Sequence, residues 1–288
     1  VTFDRSQSEF PSDFHRQVWW WAVGLVPLEV SLNDEAKAKC GADVSAGCAQ
    51  WREYFGRLCD DMYANADNYL PASPRQYRDL LERISRDGAP SPKSGGIAIA
   101  AGDWGAASDR LNKSKAYAEK GITAEKLITR LAPTGLEYKN DGESAVFNYP
   151  EYPQIFDAMR LFEQSPDVRK TPARLHFAHC EFRQLFKSFN PNYDELMRRA
   201  GDESLEVARA IHEYCVSVGV KRYVHFGIIK YKHKGVRLLD YNLYGNEYPT
   251  LGVNVGSYRI NPRRSDIGGL LERIEKRKKV IDSLTVLV

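Results

Sequence analysis

Cysteine is scarce in this chain: five residues in 288, at Cys40, Cys48, Cys59, Cys180 and Cys215, with no CxxC pair. An odd number at irregular spacing makes no disulfide framework and no zinc ribbon. It predicts a reducing, cytoplasmic setting. Long apolar runs are missing too. The longest, Val18 to Val30, covers about 13 residues and is broken by Gly24, Pro27 and Glu29, whereas a membrane-spanning helix needs about 20. No membrane span is therefore expected. The glycine patterns GxGxxG and Gly-Lys-Ser/Thr are absent, which removes the usual nucleotide loops, and no cofactor is implied. GxSxG and HExxH are absent as well, so neither a hydrolase elbow nor a zincin helix is present. Charge of one sign is nearly balanced, with a formal net charge of +3.

The balance conceals a partition. From Lys221 onward there are 14 Lys and Arg against 6 Asp and Glu, a surplus of eight that leaves the first 220 residues at about −5. A basic C-terminal third on a slightly acidic body points to an anionic partner, or else to a solvated basic face. With 43% apolar residues and 33 aromatic ones, the chain has ample material for two cores.

The N-terminal part, 1–95, reads as helical. "DFHRQVWWWAVG" predicts a helix capped by Asp13 and stopped by Pro27. Three successive tryptophans spread over roughly 200° of a helix, so one face cannot bury them all. At least one must meet a second element, the core being the simplest place and a homo-oligomer contact or a ligand platform the alternatives. Trp51, Tyr54, Phe55, Leu58, Cys59 and Met62 form one helical stripe. "SPRQYRDLLERISRDG" carries its own punctuation: Ser73 as cap, Pro74 at the first position, Gly88 as terminator. The Pro/Gly/Ser-rich stretch from Asp87 to Gly96 is the best linker.

A small α/β unit is expected over 96–165: two helices, the second capped by Thr123, then a hairpin about Asp141-Gly142 and an amphipathic helix with Ile155, Phe156, Met159 and Phe162 on one side. Helix, helix and hairpin in this order are winged-helix-like. As a nucleic-acid binder the unit would offer Lys113, Lys115, Lys126 and Lys139 to phosphates.

The last part, 166–288, is expected to be an α+β domain. Asp202 would cap a helix closed by Gly219, and three antiparallel strands would follow, turning near Lys234-Gly235 and Gly245-Asn246. Alternation puts Val224, Phe226, Ile228, Leu239, Tyr241, Leu243, Leu251, Val253 and Val255 on one face. Tyr223, His225, Tyr231, His233, Asp240, Asn242, Tyr244, Asn254 and Tyr258 fall on the other, with the register between strands left open. A final helix from Asp266 carries Lys276 to Lys279 near its end, where cations suit the helix dipole. The fold expected is thus α+β, with a helical first part, a small α/β middle and an antiparallel sheet packed on helices.

Three segments, "GLEYKNDGESAVFNYPEYPQIFDAM", "HCEFRQLFKSFNPNYDEL" and "GVKRYVHFGIIKYKHKG", carry a likeness over about 136–256. By them the chain resembles a family of uncharacterised bacterial proteins. The resemblance implies a bacterial, cytosolic protein and brings no activity and no catalytic residues.

Chemistry has few footholds. His176, His179 and Cys180 could hold zinc only from a helix and only with ligands from elsewhere; the alternation around them favours a strand instead. His212 and Cys215 share a helix side, but a helix interior gives a nucleophile poor access. The polar sheet face offers more. His225 with Asp240 could act as base and orienting carboxylate on neighbouring strands. Tyr223, Tyr231, Asn242 and Tyr244 could line a planar ligand, with Lys230, Lys232 and Arg237 supplying positive charge. The expected function is the holding of an anionic or planar small ligand on that face. An enzyme using His225 and Asp240, and a winged-helix nucleic-acid binder, are the alternatives.

Overall fold

The computed structural model describes residues 2–7, 9–26, 34, 42–91, 96–165, 176–182, 193–197, 201–225, 228–242 and 251–284. Within its elements the side chains of 42, 43, 176, 195, 225 and 242 are outside that description. Secondary structure is α+β, with helices and two antiparallel sheets. Among the described residues no helix is long and apolar enough to cross a membrane. The chain forms two compact units, one of Ser12–Lys170 with His176–Lys187, the other of Thr2–Pro11 with Ser188–Val288.

In the first unit, α1 (Asp13–Gly24) and α2 (Ala42–Ala64) are followed by α3 (Pro74–Asp87). The cap of α1 is Ser12, one residue earlier than expected, because its Oγ accepts from the His15 amide while Asp13 joins the first turn. Serine, like aspartate, supplies the oxygen an orphan amide needs. Helix α3 begins and ends where Ser73, Pro74 and Gly88 place it, and Gln76 Oε1 accepts from the Ser73 amide at 2.8 Å.

The two-residue strand β1 (Ala89–Pro90) then pairs with β2 (Ile97–Ala100). Helix α4 (Ala101–Lys113) starts directly after β2. A single turn, α5 (Lys115–Ala118), and α6 (Ala124–Leu131) follow, the latter capped by Thr123 Oγ1 accepting from Lys126 N at 3.2 Å. Strands β3 (Glu137–Asn140) and β4 (Ser144–Asn148) turn at Gly142, whose φ of +88° suits a residue without Cβ. The sheet order is β1-β2-β4-β3. Helix α7 (Ile155–Gln164) packs on α2 and α3, and the short α8 (His176–His179) packs on α1.

The tryptophan question resolves in this unit. Trp19, Trp20 and Trp21 are 2%, 3% and 3% exposed. No one face buries them; α1 lies against α2, α3 and α8 at once. Trp20 meets the His179 ring at 4.6 Å and Trp21 meets Phe55 at 6.2 Å. Nearby, Trp51 sits among Phe162, Phe177 and Phe182 at 4.6–5.5 Å between ring centres. Edge-to-face contacts of this kind add to the large apolar area each ring removes from water.

The second unit contains α9 (Tyr193–Met197), α10 (Asp202–Ser217), a five-stranded sheet and α11 (Ile267–Leu284). Helix α10 is capped by Gly201, with Asp202 in its first turn, and Gly219 at φ +71° ends it as expected. The strands are β5 (Lys221–His225), β6 (Ile228–His233), β7 (Val236–Asn242), β8 (Gly252–Val255) and β9 (Tyr258–Ile260), in simple meander order. Five strands replace the three expected. The first run forms two antiparallel strands, with His225 opposite Ile228, and Gly256 with φ +62° permits a tight turn into an extra edge strand.

Candidate functional site

Two positive φ values set the geometry of the sheet. Lys234 at +49° and Gly235 at +79° form a two-residue turn whose twist matches the strands it joins. That turn fixes the β6–β7 register, with a bulge between Tyr231 and Lys232 opposite Leu238. Cross-strand partners share a face. One row runs Tyr223, Lys230, Asp240, Asn254, Arg259 across all five strands. The adjoining pair Lys221–Lys232 lies on the same side, with Arg237 as the next partner of Lys232.

The alternate residues face the helices. Ile229, Tyr231, Leu239, Tyr241 and Val253 are fully buried there, and α11 packs on β7 and β8. This corrects the sequence assignment of Tyr231, His233, Ile228 and Tyr258; His233 lies on the helix side, its Nε2 2.7 Å from Asp282 Oδ1 of α11. Tyr231 is not on the open face: it is wholly buried, and its hydroxyl meets His212 Nδ1 of α10 at 3.1 Å. Ile228 is not a core position; Ile229 is. The β5–β6 pairing, with His225 opposite Ile228, and the bulge at Leu238 each shift alternation by one residue, which turns the side chains that follow over.

The His225–Asp240 pair is not on neighbouring strands, since β6 lies between β5 and β7. In the ladder His225 is opposite Ile228, and Ile228 is opposite Asn242, whereas Asp240 is opposite Lys230. The side chains of His225 and Asn242, and all of Tyr244, lie outside the described residues, as does the Gly245-Asn246 turn. Asp240 itself is 5% exposed. Arg237 Nη1 donates to its Oδ2 at 3.0 Å and Asn254 Nδ2 to its Oδ1 at 2.7 Å. A carboxylate so occupied ties side chains of two neighbouring strands, β7 and β8, in place.

Around it the face is basic. Lys221, Lys232, Arg237 and Arg259 are exposed, and Lys230 is half-buried. Tyr223 is 46% exposed, and Lys232 Nζ lies 5.1 Å from the centre of its ring. Lys221 and Arg259 were not singled out from sequence. Arg259 sits on the unforeseen fifth strand, though "SYRI" after a glycine has the alternation of a short strand. Tyr258, 76% exposed at the outer edge, pairs with Val255 and so belongs by register to the opposite side.

On the helix side His212, Arg222, Tyr193 and Tyr231 cluster. Arg222 Nη1 donates to His212 Nε2 at 3.4 Å and its guanidinium lies 3.9 Å from the centre of the Tyr193 ring. With Nε2 accepting, the imidazole proton is on Nδ1, facing the Tyr231 oxygen. Burial, and then the Arg222 charge, lower the His212 pKa below its ordinary 6.5. Cys215 is fully buried and its thiol is pushed up to about 12 by burial, which removes it as a nucleophile at neutral pH.

The His176/His179/Cys180 segment is helical over His176–His179, not a strand. His179 is packed in the core of the first unit, and burial raises the Cys180 thiol well above its ordinary value. Among the described residues no group of three His, Cys, Asp or Glu is placed to hold a metal ion. No family model, curated protein or solved structure matches this chain, so its function is read from its own geometry.

Proposed function

We propose that the protein binds an anionic ligand on the open face of the five-stranded sheet. One observation carries this reading: Lys221, Lys230, Lys232 and Arg237 share a face whose one carboxylate among the described residues, Asp240, is already bonded to Arg237 and Asn254. Cations held this way on a rigid sheet create a positive field that a solvated anion enters without rearranging the protein. The Tyr223 ring, on the edge strand β5 beside Lys230 and Lys232, adds a planar contact.

Calorimetric titration with inorganic polyphosphate at low ionic strength tests the proposal. The Lys230→Ala/Lys232→Ala variant is expected to bind at least about tenfold more weakly, in line with the loss of two charge-assisted contacts. Lys276→Ala/Lys279→Ala, on α11, is expected to bind as the unaltered protein does. Equal losses in both variants, or no binding at all, would refute it.

A second reading is favoured by topology alone. The succession α3, β2, α4, α6, β3, β4 with the strand order β2-β4-β3 is that of a winged helix. Its charges support nucleic-acid binding less well. Residues 101–148 carry seven basic and seven acidic side chains, and the turn of the hairpin holds Asp141 and Glu143. Lys113 pairs with Asp109 at 3.4 Å, Lys115 with Glu119 at 3.7 Å, and Lys126 Nζ donates to Gly121 O at 2.7 Å. The acid–base reading of His225 and Asp240 is supported less still, because the Asp240 carboxylate already has two donors.

A further inference from the structure

We infer that the anion taken by this face is a nucleoside diphosphate whose base stacks on Tyr223, an inference that rests on the anion-binding reading above. Four side chains occupy the corners of one quadrilateral in the β5–β6 ladder. Lys221 is directly opposite Lys232, and Tyr223 is directly opposite Lys230. Cross-strand partners have Cβ atoms about 5 Å apart, and residues two apart along a strand are separated by about 7 Å. Three ammonium groups on flexible stems therefore rise from one small area, close enough to converge on a linked pair of phosphates. Among the described residues none of the three forms an ion pair. Asp240, across the ladder from Lys230, gives its oxygens to Arg237 and Asn254. Like charges placed directly opposite one another destabilise a ladder. A multivalent anion between Lys221 and Lys232 turns that repulsion into attraction.

The fourth corner is aromatic. Tyr223 is 46% exposed, and Lys232 Nζ, diagonally across, lies 5.1 Å from its ring centre. A planar group stacked on this ring has a phosphate-reaching cation beside it. Lys221, the next residue on the same side of β5, is offset from the ring by a spacer's length rather than by one bond. The sugar of a nucleotide supplies such an offset, whereas in an aryl phosphate the phosphate is joined to the ring itself. The donors point the same way. Phosphorylated side chains are recognised by arginine clusters, while lysines act as point charges on the spread charge of a diphosphate. Arg237, opposite Lys232 in the ladder, is committed to Asp240 Oδ2 and Gly256 O.

Calorimetric titration of the full chain with ADP at low ionic strength provides the test, with pyrophosphate, adenosine and O-phosphotyrosine titrated in parallel. ADP is expected to bind more tightly than any of the other three. Tyr223→Ala is expected to weaken ADP binding about five- to 100-fold and pyrophosphate binding hardly at all, while Tyr223→Phe retains both. Lys221→Ala is expected to weaken ADP and pyrophosphate alike, by about three- to tenfold. Circular dichroism of each variant checks that the fold is kept; both side chains are exposed. If Tyr223→Ala leaves ADP binding unchanged while pyrophosphate still binds, the nucleotide inference falls and anion binding stands. Adenosine or O-phosphotyrosine binding as tightly as ADP also overturns it. If neither ADP nor pyrophosphate binds at low salt, both readings fall together.

Discussion

Replacing Gly24 by alanine sets two physical effects against each other. Gly24 is the last residue of α1, and helix propensity alone favours alanine there by up to about 1 kcal/mol. Packing says the reverse. A Cβ on Gly24 would lie 2.3 Å from His179 Nε2, 2.6 Å from Cδ2 and 2.8 Å from Cε1. The imidazole has little room to yield, being 1% exposed and edge-on to Trp20 at 4.6 Å. Nor does the backbone slide easily, since Val26 N donates to His179 O at 3.0 Å just beyond the glycine. Overpacking of this kind costs about 1–3 kcal/mol, so the net expectation is a loss of about 1–2 kcal/mol. Urea unfolding followed by tryptophan fluorescence is a suitable assay, because all five tryptophans, Trp19, Trp20, Trp21, Trp51 and Trp104, belong to the first unit. A His179→Ala background should make the same alanine harmless, with a coupling of about 1–3 kcal/mol between the two sites. A neutral or stabilising Gly24→Ala in the unaltered background would refute the close packing of α1 on the His179 turn.

Trp51→Ala should lower the urea midpoint of the first unit by the equivalent of about 3–5 kcal/mol, the cost of emptying a fully buried aromatic site. Arg78 and Glu82, both nearly buried on α3, stand with Nε and Oε1 3.2 Å apart, and Arg78 Nη2 also donates to Asp79 Oδ1 at 2.8 Å; because Asp79 still faces the guanidinium, Glu82→Ala is expected to cost about 1–3 kcal/mol, read as a lowered urea midpoint. For the second unit, the lowered pKa of His212 means that below about pH 6.5 the unfolded chain takes up a proton more readily than the folded one. Stability is therefore complete above that pH and falls as pH drops through 6.5 toward the lower folded value. Circular dichroism melts between pH 7.5 and 5 should show the decline, and His212→Gln should remove it.

Where sequence and fold agree, local chemistry dictates the outcome. Ser73, Pro74 and Gly88 bound α3 because caps act within a turn of chain, and the Trp51 to Met62 stripe is buried because helical periodicity survives any tertiary arrangement. The candidate site was legible only in composition. Its Lys230, Asp240, Arg237 and Tyr223 were named, but their grouping depends on which residues pair across strands, and pairing is non-local. The pairing of β5 with β6, His225 opposite Ile228, and a bulge at Leu238 each move the alternation by one, and neither has a residue signature as strong as the Lys234-Gly235 turn. Tyr231 changed faces for that reason. The helical turn at His176–His179 was read as strand because four residues are too few to distinguish a period of 2 from one of 3.6.

The basic surplus of the C-terminal third divides between two surfaces that sequence alone treats alike. On α11 the cations are matched where they stand: Lys276 pairs with Glu272 at 2.7 Å, Lys279 with Glu275 at 3.6 Å and Lys278 with Asp282 at 3.1 Å. Each pair contributes little to stability at an exposed site, yet each cancels most of its own field a few ångströms out. Asp282 also accepts from His233 and Lys234, and these contacts, Lys234 foremost, hold its carboxyl well below the ordinary range, so the end of α11 is tied to the β6–β7 turn. The strand cations have no such helical spacing to acidic neighbours. Alternation sends Lys221, Lys230 and Lys232 to one side, and the one carboxylate there among the described residues is shared by Arg237 and Asn254. Potential depends on what is left uncancelled, and by that measure Lys221, Lys230 and Lys232 make the sheet face a better candidate for the proposed anion site than the lysine-dense helix.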